Sequence, residues 1–302
     1  MSDHNGTNFL FRPTRTGAHG TIPPANERDR RRRWWDPIDI DQPNAARAHD
    51  FLLGGSHNGD ADRRLARTVS DAYPGAVSLA RANRAFLRHA VRHCVGNGIT
   101  QLLELGAGLP TAGSVHEVAW TEDPSARVAY VDVEPVAVAY SRDLLGHTDQ
   151  VTVTQADLRH PRAMLSSPGV ADLLDFTRPV AVLLVGVLHF VSDSDQPAQI
   201  LRTYRDALAP GSVLVVAQSS ADYPEHPRLA EAIRAANSHY ASTRTPGTLR
   251  SRAELIELLD GWELEPPGIL DVARWERGRM HADPLGGYGA ITRPLPAPVW
   301  AR

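Results

Sequence analysis

Two carboxylates and a pair of glycines carry the strongest chemical signal in this chain. Glu104 stands just before Gly106-Ala107-Gly108, and Asp132 follows the apolar run Val128-Ala129-Tyr130-Val131. The residues Leu102-Leu103-Glu104-Leu105 read as a buried strand that breaks into the glycine turn, which continues through Leu109-Pro110-Thr111. A glycine has no Cβ, so the backbone there can approach a ligand closely. A carboxylate at the end of the following strand can accept hydrogen bonds from ribose hydroxyls. That pairing is how a parallel α/β sheet holds the adenosine end of a cofactor. The competing reading is a plain strand-to-helix turn with nothing bound.

Two cofactor classes fit such a turn. A nicotinamide dinucleotide places its pyrophosphate on the helix N-terminus, packs the helix on a third glycine and meets an acid about 20 residues on. Here Thr111 occupies the third position, Pro110 interrupts the turn, and Asp132 lies 26 positions after Gly106. Glu104 would repel a pyrophosphate but suits the cationic amino-acid end of S-adenosylmethionine. The electrostatics therefore favour the methyl donor over NAD.

A methyl sulfonium is already activated, so its transfer is an in-line displacement that depends on positioning and exclusion of water. A general base is needed only where the acceptor must lose a proton. His189 follows the apolar run 180–187, at the carboxyl edge where ligands bind in such sheets. It is the first candidate for a base or an acceptor contact, with a wall position as the alternative. His57, in the polar loop 54–62, is the second candidate. His116, on the helix after the glycine turn, is expected to pack there. Cys94 is expected to fill the core rather than act as a nucleophile, which argues against cytosine-C5 transfer.

The composition narrows the classes further. All 32 basic residues are arginine, so lysine Schiff-base chemistry and a P-loop lysine are excluded. Cys94 is the single cysteine, leaving no internal disulfide and no cysteine-built zinc site, and no metal is expected. A net charge of −3 gives no reason to expect a nucleic-acid partner. The chain has no apolar stretch of membrane-spanning length and no signal-peptide core, so a cytoplasmic location is the default. Residues 1–41 read as a disordered arm that carries Arg30–Arg33 beside Trp34 and Trp35. Such a cluster could grip nucleic acid or an acidic membrane, and a solvated charge run is the plainer reading.

The elements that must position these groups follow from the periodicity. Helices are expected over 45–53, 60–72 and 76–95, the second capped by Asp60 or Asp62. Strand 101–105 then opens an alternating series: helix 114–120, strand 128–131, helix 135–145, strand 151–155, helix 163–174 and strand 180–187. Helix 200–208, strand 212–217, helices 227–242 and 252–259, and closing strands 263–266 and 288–292 complete it. Strands alternating with helices predict a parallel sheet covered on both faces. Asp157 could cap the next helix, and Glu134 reads as a helix-dipole carboxylate before Pro135.

Several separated blocks now carry a resemblance. They are Arg47-Ala48-His49-Asp50-Phe51-Leu52-Leu53-Gly54-Gly55, Ala80-Arg81-Ala82-Asn83-Arg84-Ala85-Phe86-Leu87, the glycine turn, and Leu183-Leu184-Val185-Gly186-Val187-Leu188-His189-Phe190. Leu208-Ala209-Pro210-Gly211-Ser212 and Gly286-Gly287-Tyr288-Gly289 also fit. Over residues 42–294 the chain resembles the class I S-adenosylmethionine-dependent methyltransferases, specifically an actinobacterial S-adenosyl methyltransferase family long catalogued as a domain of unknown function. It departs from that family in having Glu104 where Asp is usual and Gly59 where an aromatic residue is usual. The resemblance implies a Rossmann-like, mostly parallel seven-stranded sheet with a helical lead-in, forming one domain over 42–302.

The resemblance also implies that Glu104 faces the donor's amino group and that Gly106, Ala107 and Gly108 line its amino-acid moiety. Asp132, with Val133 after it, would take the ribose hydroxyls, and Asp157 and Leu158 would border the adenine. Loop 54–62 with Arg81 and Asn83 is expected to fold over the pocket as a lid. The implied activity is methyl transfer from S-adenosylmethionine to an unidentified acceptor, by analogy a small molecule. A binding module that holds the donor or its product without turnover is the first alternative. An NAD-dependent oxidoreductase and an adaptor acting through the arginine–tryptophan cluster are the others.

Overall fold

The central strands are apolar on both faces because helices cover both faces of the sheet. In the computed structural model, residues 41–110, 113–146, 148–241, 243–275 and 280–295 are described. The arm with Arg30–Arg33, Trp34 and Trp35, and also Thr111, lies outside them.

The lead-in is helical: α1 (Ala45–Leu52), α2 (Asp60–Ala72) and α3 (Ala76–Gly96). The alternating part runs β1 (Gln101–Leu105), α4 (Val115–Glu122), β2 (Arg127–Asp132), α5 (Pro135–Leu145) and β3 (Val151–Gln155). It continues through α6 (Pro161–Leu165), α7 (Pro168–Ala171), β4 (Ala181–Val185), α8 (Pro197–Ala207) and β5 (Val213–Ser219). Helices α9 (Pro227–Ser238) and α10 (Arg252–Leu258) precede β6 (Trp262–Leu264), β7 (Leu270–Asp271) and β8 (Gly287–Pro294).

The strand order is β3-β2-β1-β4-β5-β8-β6, with β7 paired to β8 beside that path. Strands β1 to β5 are parallel, and β8 joins antiparallel to β5, β6 and β7. The expected seven strands are the seven of the continuous path. The two-residue β7 makes an eighth, too short for any period to announce. Side chains alternate between two cores, as a period of two requires. Leu103, Leu105, Val182 and Leu184 join one core. Leu102, Val128, Ala181 and Leu183 join the other.

Three local expectations are corrected. The single helix over 163–174 is two short ones, each started by a proline, Pro161 and Pro168. Helix α9 stops at Ser238, short of 242. Helix α2 is capped by Gly59; Asp62, three residues on, accepts a hydrogen bond from the Gly59 N–H at 2.8 Å.

Candidate functional site

The turn after β1 is shaped by its neighbours before any ligand enters. Gly106 has φ +67°, and a Cβ there would lie 2.2 Å from Cγ2 of Val187, in the turn after β4. The first demand on this glycine is thus the close approach of the adjacent turn. Gly106 and Ala107 both donate backbone N–H groups to the Val131 carbonyl, at 2.8 and 3.1 Å, so the loop folds back over the end of β2. Gly108, at φ +62°, would bring a Cβ 3.7 Å from Cβ of Ala46 on α1.

Asp132 ends β2 with its carboxylate buried between these turns. Oδ2 accepts the Gly108 N–H at 2.6 Å and Oδ1 accepts the Glu134 N–H at 2.8 Å. Burial raises its pKa, and the backbone N–H groups of Glu134, Gly108 and Val133 oppose that shift. A carboxylate has about four acceptor positions, so these backbone donors still leave it room to accept from a ribose hydroxyl. Val133 offers its carbonyl to Gln155 Nε2 at 3.4 Å.

Glu104 is 6% exposed, its carboxyl buried behind the turn. Burial pushes its pKa up to about 7; the Arg84 guanidinium works against this and Asp132 works with it. A buried carboxyl with a raised pKa is poised to be ionised by an incoming cation. Together with the room left on Asp132, this fits the ammonium and ribose ends of S-adenosylmethionine.

Asp157 and Leu158 follow β3. Arg159 grips the Asp157 carboxylate, with Nη2 on Oδ2 at 2.6 Å and Nε 3.0 Å from both oxygens. Burial would raise the Asp157 pKa, but the Arg159 hydrogen bonds prevail and lower it. Asp157 is not a helix cap: His160 holds that position before α6. Leu158 is buried, and its carbonyl accepts the Tyr204 hydroxyl at 2.8 Å.

His189 lies in a single 3-10 turn (Leu188–Phe190) after β4. Its Nδ1 is buried without a hydrogen-bond partner. Burial lowers its pKa to about 3, with His49 and Arg250 adding to the effect. Arg250, itself buried, holds this turn through the Leu188 and Val191 carbonyls at 3.3 and 2.7 Å. His49, on α1, is a neighbour that sequence reasoning missed although it stands in a quoted block. Burial, then Arg84, lowers its pKa to about 4. His57 goes elsewhere: its ring packs on Tyr140 of α5 at 3.8 Å, and its N–H donates to Asp50 Oδ2 at 2.9 Å.

The expected lid is redistributed. Loop 54–58 is gathered by the buried Asp50 carboxylate, which also accepts Asn58 Nδ2 at 2.8 Å. Helix α1 is set against the glycine turn at Gly108. Arg81 is exposed, while Arg84, one helical turn on, donates to the Leu109 carbonyl at 3.2 Å. Glu134 is no simple dipole carboxylate either, since it accepts from Arg47 Nη1 at 3.0 Å and Asn44 Nδ2 at 2.9 Å. Two expectations hold. His116 packs with its Nδ1 2.7 Å from the Tyr130 hydroxyl, and Cys94 is fully buried with its pKa pushed up to about 12.

Among the described residues no helix is long and apolar enough to cross a membrane. A sequence profile of the S-adenosyl methyltransferase family matches residues 32–293, starting ten residues earlier than the blocks above indicated and taking in Trp34 and Trp35. The chain is similar to a DUF574 family protein from Streptomyces avermitilis, solved by crystallography, at 32% identity. That match covers 85% of this chain and all of the other, with a TM-score of 0.78. It is similar as well to a methyltransferase candidate from Thermobifida fusca at 34% identity, over 87% of this chain and 99% of the other, again with a TM-score of 0.78. No curated protein matches the sequence.

Proposed function

Because the chain belongs to the S-adenosyl methyltransferase family, and S-adenosylmethionine is that family's cofactor, we propose that it transfers the donor's methyl group to a small-molecule acceptor. The observation that carries this reading is the buried Glu104 carboxyl beside the glycine turn, close enough to Asp132 for the two charges to interact. We assign Glu104 to the donor's ammonium. Gly106, Ala107 and Gly108 would line its amino-acid portion, and Asp132 and Val133 the ribose. Leu158 would border the adenine, with Asp157 held back from it by Arg159.

The bound donor supplies an electrophilic methyl group. The protein's share is to orient, to exclude water and to hold charge. A histidine whose pKa lies near 3 stays neutral at physiological pH and is a weak base. His189 is therefore better suited to contact an acceptor than to strip its proton. His57, seated on Tyr140, is a weaker candidate still. A cleft of about 470 Å³, lined among others by Ala221, Tyr223, Arg234 and Arg250, is of a size for a small acceptor, and none of the residues assigned to the donor lines it. It lies beyond the carboxyl end of β5, and its Arg250 is the residue that holds the His189 turn.

The weak basicity of His189 also favours a second reading, a module that binds the donor or its product without turnover. Calorimetric titration with S-adenosylhomocysteine, with NAD and Asp132→Ala as controls, tests the donor site. Micromolar binding lost in the variant supports it, whereas no heat from folded protein sinks it. Consumption of S-adenosylmethionine against a broad acceptor panel then separates enzyme from module.

A further inference from the structure

Helix α1 touches both lips of the donor site. From one residue, Ala46, it lies against Gly108, whose Cβ position is 3.7 Å from that methyl. From the next, Arg47, it reaches the turn after β2: Nη1 donates to Glu134 Oε1 at 3.0 Å and Nε to Asp62 Oδ2 at 2.7 Å. The third arm, Nη2, donates to the Gln42 carbonyl at 2.8 Å. Asn44 caps the same helix by accepting the Ala46 N–H at 2.8 Å, and its Nδ2 donates to the other Glu134 oxygen at 2.9 Å. Glu134 in turn donates its backbone N–H to Asp132.

These bonds fall into two groups. Asp62 is fully buried and accepts from Gly59 N, Asn44 N and Arg47 Nε, all within the α1–α2 hairpin. That group holds the hairpin together. Glu134 belongs to the sheet side and is the carboxylate to which the hairpin is tied. We propose that α1 is a roof over the donor site, and that Arg47 is the positioning residue that latches it to Glu134. Resting on the assignment of the glycine turn and Asp132 to the donor, the proposal goes beyond it by naming what closes that site. Closure by α1 excludes water and fixes the Asp132–Glu134 turn. Exchange of donor and product requires α1 to lift from Gly108, which breaks the Arg47–Glu134 pair and leaves the Arg47–Asp62 pair intact.

The test is stopped-flow binding of S-adenosylhomocysteine to the full chain, paired with amide hydrogen exchange over 45–52. Glu134→Gln removes the charge and keeps one acceptor oxygen, enough for Arg47 but not for Asn44 as well, while the hairpin's own Arg47–Asp62 pair survives. Its dissociation rate should rise at least tenfold, with the melting temperature within a few degrees of wild type. Exchange over 45–52 should quicken while 101–105 is unchanged. Arg47→Lys, which keeps the charge on a single point, should recover part of the slow dissociation. Wild-type rates and exchange in both variants would overturn the roof and leave α1 as static packing. No binding by the folded wild type would instead bring down the donor-site assignment itself, and the roof with it.

Discussion

At the scale of single residues, Glu104 and Gly106 show how one position can answer two demands. In the free protein Glu104 holds its proton up to about pH 7, and a cationic ligand binds the ionised form. Affinity for S-adenosylhomocysteine should therefore fall about tenfold for each pH unit below about 7, with one proton released on binding. Calorimetry in buffers of different ionisation enthalpy reads that proton directly. Glu104→Gln should flatten the profile and weaken binding at pH 8 by about 10- to 100-fold, the worth of a charge-assisted hydrogen bond. Gly106→Ala adds a Cβ where Val187 already stands, at a positive φ. It should destabilise the fold by about 2–4 kcal/mol in urea unfolding, and adding Val187→Ala should return the steric part while leaving about 1–2 kcal/mol of backbone strain. The sequence marks both residues as special. It does not say that Val187 is the group Gly106 makes room for, because that contact joins turns 81 positions apart.

Among the elements, the parallel strands were legible and the covering helices were only half so. β1, α5 and β3 fall within the bounds that their β-branched and apolar runs and the first-turn proline predict. The lead-in helices were legible as helices but not as a roof. Nothing local in Asn44 or Arg47 indicates that both meet Glu134, about 90 positions away. The 3-10 turn with His189 depends likewise on Arg250, some 60 residues later. Arg250→Met would leave the Leu188 and Val191 carbonyls without that donor and should cost about 2–4 kcal/mol. The His189 imidazole resonances should shift or broaden in the same variant, while those of His116, held by Tyr130, stay in place.

For the whole molecule, two properties should report the state of the site and of the fold. Glu104 has a folded pKa of about 7 against an ordinary 4.5. Its contribution to stability is therefore present below pH 4.5 and lost as pH rises through 7. By difference from Glu104→Gln, wild-type unfolding free energy should fall by up to about 3 kcal/mol across that window. Saturating S-adenosylhomocysteine should restore about 2.7 kcal/mol at a hundredfold excess over Kd. Cys94 is fully buried, and its thiol is pushed up to about 12. A thiol reagent should label it only through opening of the α3–α4 core, so labelling in rising urea should track global unfolding. Fast labelling of the native protein would contradict the packing of that face.

The amino-acid sequence by itself determined the class of the sheet, the place of the glycine turn and the two acids that flank it. Those features are written in short-range patterns: apolar runs, glycines at a strand's end, a carboxylate at the next. Tertiary structure decided how they are closed. It set Val187 against Gly106, chose Arg84 rather than Arg81 to meet the turn, drew His49 towards His189 and sent His57 to Tyr140. Each of these is a contact between segments far apart in the chain. Its geometry follows from how the helices pack on the sheet, which no local periodicity encodes.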